Sequence, residues 1–466
     1  MFPATLPPRA PDTHHPSPNT LSPSSRYTAC CFREETVHRC IRAESRVFDK
    51  SRQGAIGQMD FSLTPEQIQV RDTVREFAAR EVAPYIQEWD AKVEFHPEVL
   101  RQMGELGILG LPIPEEYGGS GFDYVALALA CEELEYVDTF LRVVMSVHVG
   151  LNSLALLQWA NEEQKQRFLV PQARGEKFGT FALTEPNAGS DAGSIESTYV
   201  RDGDAYVLNG AKMWISLADF ADHFLVFASF DRSQKHNGLT AFMLERGMPG
   251  LTTGTIKGKL GVRAGNTGEL AFNNVRIPLE NRIGEEGEGF KIAMSCIDQG
   301  RFTVGAGAVG LIRACLDAST RYANERFAFS QEIGRFELVK QMIARMVAGY
   351  EASRLLTMQA AELKNRGIRN TRETSLMKWY GCDAALEAAN DAIQIHGSYG
   401  YSNEYPVERF WRNARGAVIY EGTREIHTIL QADYALGYRQ DKPLRCPQPP
   451  AEGFERQDER VPALAL

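Results

Sequence analysis

The residue pattern predicts an α+β chain built as helices, then a small β domain, then helices again. Three observations carry this. Apolar residues recur at helical spacing from 61 to about 175, short β-rich runs punctuated by Gly, Asn and Asp occupy about 176 to 285, and long helical segments return from about 288 to 437. At about 150 residues per domain, a chain of 466 residues suggests roughly three domains. Their borders are drawn at 59–177, 178–286 and 287–437, between an extension at 1–58 and a tail at 438–466.

Residues 1–58 hold seven prolines, many Ser, Thr and Arg, and no apolar periodicity, so a disordered extension is expected. It has no apolar core of a secretory signal, and Asp12, Glu34, Glu35, Glu44 and Asp49 argue against a mitochondrial transit peptide. A start at Met59, a functional tail and a targeting peptide all stay open, the first favoured because Met59-Asp60-Phe61 opens the first periodic segment. Thr64 reads as an N-cap, with Pro65 at N1 and Gln67 closing a capping box. Ile68, Val70, Val74 and Phe77 follow at helical spacing, and a second apolar helix runs from Leu127 to Leu157 with breaks expected near Asp138 and Gly150. Strands are expected at Phe178–Leu183, Ala205–Leu208, Phe224–Phe230 and Leu239–Leu244. Val339–Leu363, with its Met342, Met346, Tyr350 stripe, is a long helix, and the Pro-rich stretch after Gly437 is irregular.

Composition narrows the function. Acids exceed bases by 60 to 51, a net charge of −9, which argues against a general nucleic-acid binder. No run of 18 or more apolar residues occurs, so no membrane span is expected. The eight cysteines form neither a C-x-x-C pair nor a zinc spacing, so no metal site is expected and the thiols read as those of a reduced, cytoplasmic protein. Gly305-Ala306-Gly307-Ala308-Val309-Gly310 matches G-x-G-x-x-G, yet no buried strand precedes it and no acid-ended strand follows about 20 residues on. Close helix packing is the better reading of those glycines.

Two segments carry chemistry. Leu183-Thr184-Glu185-Pro186-Asn187-Ala188-Gly189-Ser190-Asp191 ends a strand with hydroxyls, small residues and backbone N–H groups, suited to lie against a flat polar ring or a phosphate. Gln394-Ile395-His396-Gly397-Ser398-Tyr399-Gly400-Tyr401 leads to Tyr420-Glu421-Gly422-Thr423, where a carboxylate follows the apolar Ala417-Val418-Ile419. Buried there, Glu421 should have a raised pKa, as a general base near neutral pH requires.

Together these segments resemble the acyl-CoA dehydrogenase family, from about Met59 to Gly437. The resemblance implies an N-terminal helical domain, a β-barrel middle domain and a C-terminal four-helix bundle. It further implies a homotetramer, bound FAD, an acyl-CoA substrate and electron-transferring flavoprotein as acceptor. Phe181, Leu183, Thr184, Gly189, Ser190, Trp214 and Ser216 would line the flavin and nearby phosphates, Ser216 replacing a more usual Thr. Arg326, Phe329, Gln394, Gly397 and Ser398 would hold the pyrophosphate and adenine of a neighbouring subunit's FAD, with Thr423 and Glu425 close to the cofactor of their own site. Glu337 stands where the family has Gln, and would repel a pyrophosphate unless protonated or paired. Glu421 would remove the α-proton as a hydride leaves the β carbon. Asp298 and Arg301 match the pair that contacts CoA, and His396 reads as packing.

The stretch Glu132 to Ser146 is similar to the glutaryl-CoA dehydrogenase subgroup, in Glu135, Arg142 and Ser146, as is the Ile426-His427 after the catalytic loop. Val143 departs from it. There Arg142 would bind the substrate's distal carboxylate, with Tyr420 and Gly422 beside it. The alternative is an internal pair between Arg142 and Glu135. Substrates implied are glutaryl-CoA, with or without loss of CO2, a benzylsuccinyl-CoA-type thioester, or a short uncharged acyl-CoA.

Overall fold

The computed structural model describes residues 62–457. The expectations for the extension 1–58, the start at Met59 and the last residues of the tail lie outside them.

Helix α1 (Pro65–Phe77) begins as its sequence requires: Thr64 caps Gln67 N at 3.2 Å and Gln67 returns to Thr64 N at 3.0 Å. Its buried stripe is Gln67, Val70, Val74 and Phe77, and Ile68 lies outside it. Two shorter helices, Ile86–Lys92 and Pro97–Glu105, lead to α2 (Tyr124–Val137), which is buried almost all round. Asp138, extended at φ −163°, ends α2, and its carboxylate caps the next helix through Phe140 N at 2.9 Å. That helix is α3 (Thr139–Val144), and it runs on without interruption through a widened turn, Met145–Ser153, into Leu154–Trp159. The break expected at Gly150 is therefore absent. A Cβ there would stand 3.3 Å from the Gln299 carbonyl, so the glycine serves a close approach between helices.

The middle region is one eight-stranded sheet: β1 (Gly179–Ala182), β2 (Thr198–Asp202), β3 (Ala205–Ser216), β4 (His223–Ser229), β5 (Leu239–Glu245), β6 (Leu251–Thr255), β7 (Thr267–Pro278) and β8 (Arg282–Ile283). The strand order is β6-β7-β3-β2-β4-β5-β8, with β1 parallel to β4. The β3–β7 register shifts between Met213 and Ile215, and this bulge leaves Trp214 at φ 63° with its side chain 56% exposed. A bulge re-aims a side chain that regular pairing would bury or flatten.

Three long helices and two short ones follow: α4 (Gly289–Glu325), α5 (Glu337–Asn365), α6 (Thr371–His396), α7 (Val407–Ala417) and α8 (Arg424–Ala435). The G-x-G-x-x-G run lies inside α4. A Cβ on Gly310 would stand 2.0 Å from the Glu132 carbonyl of α2, and one on Gly305 3.2 Å from the Lys378 backbone of α6. These glycines let three helices touch, as the sequence implies. Among the described residues two segments, Thr139–Trp159 and Gly289–Glu325, are long and apolar enough for a membrane span by length and composition, although neither holds an unbroken apolar run of 18 residues. They are 89% and 78% buried inside the fold, which accounts for their character.

Beyond α8 the chain is irregular, as expected, yet it is tied down. Arg445 grips Glu288 through two nitrogens (3.0 and 2.6 Å), Gln158 donates to the Cys446 carbonyl, Gln448 donates to the Tyr124 hydroxyl, and Ala451 N bonds the Asn365 carbonyl.

Candidate active site

Glu421 sits in the turn between α7 and α8 in the left-handed region (φ 55°), followed by Gly422 at φ 103°. For a non-glycine residue this conformation costs of order 1–3 kcal/mol and persists only where the surroundings impose it. They do: Arg301 Nε donates to the Glu421 carbonyl (3.1 Å) and Lys378 Nζ to the Gly422 carbonyl (2.7 Å). Gly422 has no room for a side chain, since a Cβ would meet His427 Nε2 at 3.0 Å and Arg301 Nη2 at 3.1 Å. The Glu421 carboxyl turns inward, with Oε2 enclosed and without a hydrogen-bond partner. Burial pushes its pKa above the ordinary carboxylate value, and Arg142, Lys378, Arg301 and the Ser146 hydroxyl pull the other way. The raised pKa expected from sequence is what this burial produces.

The carboxyl rests on Gly300 of α4, where an added Cβ would lie 2.0 Å from Oε2. Gly300→Ala is expected to fold, because the atom it meets is the end of a flexible side chain, and to displace that carboxyl. Misplacement by about an ångström costs about 10²-fold in rate. The check is kcat in the variant beside a melting temperature near wild type.

Arg142 is 1% exposed and fully partnered: Nε to Glu135 at 2.6 Å, Nη1 to Ser146 Oγ at 2.9 Å and Nη2 to the Tyr420 hydroxyl at 2.5 Å. Ser146 in turn meets Thr303 Oγ1 at 2.6 Å, and Thr139 donates to Glu135 at 2.5 Å. Gly307 makes the room, since a Cβ there would stand 2.7 Å from Arg142 Cγ. The internal Arg142–Glu135 pair thus exists, while two of the three guanidinium nitrogens go to neutral hydroxyls.

Asp298 and Arg301 are brought together (3.2 Å), and Thr371 donates to Asp298 at 2.6 Å. Arg301, paired with Asp298, holds the Glu421–Gly422 turn. Thr423 caps α8 by accepting from Ile426 N, and Glu425 is exposed in the first turn. His396 stacks on Tyr322 with ring centroids 4.3 Å apart and bonds the Ala392 carbonyl, a packing role as expected. Glu337 is the exposed first residue of α5, where a carboxylate favours the positive end of a helix.

The residues expected to hold the nucleotide fall into two groups. On the sheet, Leu183 is buried, Phe181, Thr184 and Ser216 are half-buried, and Gly189, Ser190 and Trp214 are exposed; Met213 N bonds the Thr184 carbonyl and Thr180 donates to the Ser216 carbonyl. At the far ends of α4 and α6, Arg326, Phe329 (91% exposed), Gln394, Gly397 and Ser398 face outward.

Comparison with known proteins decides the family. The acyl-CoA dehydrogenase N-terminal, middle and C-terminal domain models match residues 64–176, 180–275 and 287–436. The chain belongs to the acyl-CoA dehydrogenase family. It is 41% identical to the "Acyl-CoA dehydrogenase, short-chain specific" of Clostridium acetobutylicum, over 80% of this chain and 98% of that one. It also matches the structure of a glutaryl-CoA dehydrogenase in complex with glutaryl-CoA (39% identity, TM-score 0.80, 82% of this chain and 98% of that chain). A third match is a chain of the structure named for the electron transferring flavoprotein of Acidaminococcus fermentans (42% identity, TM-score 0.80, 81% and 100% covered).

As an acyl-CoA dehydrogenase this chain is an oxidoreductase, and its family uses FAD. The residues present fit that cofactor. A Cβ on Gly189 or on Gly397 would meet nothing of this chain within 4 Å, so both backbones are open for close approach by a ligand, and Trp214, next to the Met213 that bonds Thr184, is exposed. Reading the sequence missed Gly300, Thr303 and Lys378. Lys378 could have been noticed as a lone cation within the apolar run Leu376-Met377-Lys378-Trp379-Tyr380.

Proposed function

We propose that this acyl-CoA dehydrogenase introduces an α,β double bond into a short thioester bearing a distal carboxylate, with glutaryl-CoA as the first candidate. The observation that carries the reading is the deeply buried Arg142 beside the inward-turned Glu421. A guanidinium at the end of an acyl pocket gives nothing to a methyl group, but it can grip a carboxylate in two places. Two of its present partners, Ser146 and Tyr420, are neutral hydroxyls that can yield to an anion.

In this mechanism the enclosed Glu421 oxygen takes the proton α to the thioester carbonyl. The Glu421 backbone N–H would be the chain's own donor for the thioester oxygen as charge develops, an oxyanion-hole role worth a few kcal/mol. FAD, when bound, supplies the acceptor for the hydride equivalent that leaves the β carbon. Phe181, Leu183, Thr184, Gly189, Ser190, Trp214 and Ser216 would hold its flavin end. Arg326, Phe329, Gln394, Gly397 and Ser398 of a neighbouring copy would hold the remainder, with Thr423 and Glu425 beside it. Apolar side chains left exposed along α5 (Leu338, Val347, Leu355) support assembly into a homotetramer. We assign electron-transferring flavoprotein as acceptor and the cytoplasm as location, the latter supported by the unpaired Cys131, Cys296, Cys315, Cys382 and Cys446.

A second reading has its own support. Glu135 already neutralises Arg142 at 2.6 Å, which suits a butyryl-like uncharged acyl chain. A panel of butyryl-, glutaryl- and benzylsuccinyl-CoA with a ferrocenium acceptor and trapping of CO2 separates them. The expected result is a kcat/KM at least tenfold higher for glutaryl-CoA than for butyryl-CoA; the reverse order rejects the carboxylate clamp, and trapped CO2 decides whether decarboxylation follows.

A further inference from the structure

Three buried cations converge on the catalytic turn, and they are not equivalent. Arg142, from α3, has a carboxylate of its own in Glu135 of α2 (2.6 Å), and Arg301 of α4 has Asp298 (3.2 Å). Lys378 of α6, 1% exposed, forms no ion pair among the described residues; burial pulls its pKa below the ordinary lysine value, and Cys382 and Glu421 pull it back up. The other titratable groups around Lys378 and the turn carry no compensating charge. Burial pushes the Cys382 thiol up to about 11 and His427 of α8 down to about 2, so both are neutral near pH 7, as is the buried Tyr420. The remaining carboxyl in the cluster is that of Glu421.

The backbone adds a second, independent reason to look at Lys378. The left-handed Glu421 and the following Gly422 present two successive carbonyls, and each is held by one of these cations: Arg301 on the first, Lys378 on the second. Gly305 lets the α6 backbone at Lys378 press against α4, which sets the point from which the side chain reaches the turn. Displacing this side chain would release one of the two anchors of a strained turn and remove the unmatched positive charge beside the base.

We propose that Lys378 is a positioning residue for the dehydrogenation: its ammonium pins the Gly422 carbonyl and serves as the counter-charge of the Glu421 carboxylate. This rests on Glu421 being the base. A buried carboxylate without a matching cation is costly, so removing the charge should make Glu421 harder to ionise, and the acid limb of activity should move to higher pH.

The test is the pH profile of kcat/KM for the FAD-loaded enzyme with Lys378→Gln and Lys378→Arg, next to Glu421→Gln. In Lys378→Gln, which retains a donor for the carbonyl but no charge, the acid limb is expected to rise by about one pH unit or more. That is about a tenfold loss below the limb, closing to within about threefold at high pH. Lys378→Arg retains the charge and should leave the limb in place; it carries the test alone if the Gln variant does not fold. A loss in Lys378→Gln that is equal at every pH, or a limb displaced in the Arg variant, would overturn the proposal while leaving the role of Glu421 intact. Turnover surviving in Glu421→Gln would overturn the base assignment and this proposal with it.

Discussion

Glu421→Gln is expected to fold, load FAD and melt close to wild type, and to lose about 10²–10⁴-fold in kcat, the range that a positioned general base contributes. The amide occupies the volume of the carboxyl on Gly300, so the left-handed turn, held through the two main-chain carbonyls, has no reason to move. What disappears is the atom able to accept the α-proton. The wild-type profile gives a second readout. The base must be ionised to act, and burial raises its pKa, so the acid limb of kcat/KM should lie above the ordinary carboxylate value of about 4.3 and vanish in the variant. A flavin absorbance band in the purified variant, with turnover measured across pH, checks both. Near-wild-type turnover would reject Glu421 as the base.

Arg142→Ala should have the next largest effect, and on two separable quantities. It strands Glu135, 2% exposed, without its cation, and breaking a buried pair from one side typically costs about 3–5 kcal/mol. Pairing it with Glu135→Gln removes the orphaned charge and should recover most of that stability, as seen in thermal or urea unfolding. Specificity should not be recovered. Under the carboxylate-clamp reading, both the single and the double variant lose at least tenfold in the ratio of kcat/KM for glutaryl-CoA over butyryl-CoA. Equal losses on the two substrates would leave Arg142 as a structural ion only.

The difference between what the sequence discloses and what it hides is physical. Local rules were legible. Thr64 and Gln67 cap a helix because their side chains reach backbone three residues away, and Glu421 is identifiable because its neighbours form a signature. The runs that announced β1, β3, β4 and β5 belong to strands with buried residues, whereas β2 and β6 are half exposed and carry Arg, Asp, Gly and Thr. Gly150 reads as a breaker because glycine weakens isolated helices, yet here it serves a contact with Gln299, far along the chain. Gly300 and Lys378 matter through the turn at 421–422, which no periodicity connects to them. The pairing of Arg142 with Glu135 was one of two options in the sequence; only packing against Gly307 and Tyr420 shows how the guanidinium is shared out.

The stretch after α8 alters where this molecule ends. The match to the family's C-terminal domain ends at residue 436, but Arg445, Cys446, Gln448 and Ala451 reach back to moor the entrance of α4, the helical stretch that continues α3, the start of α2 and the close of α5. Three of those are the outer ends of the stretches that carry Arg301, Arg142 and Glu135. A border drawn at the end of that domain match would cut four moorings at once, so the matched domain and the mechanical body have different edges.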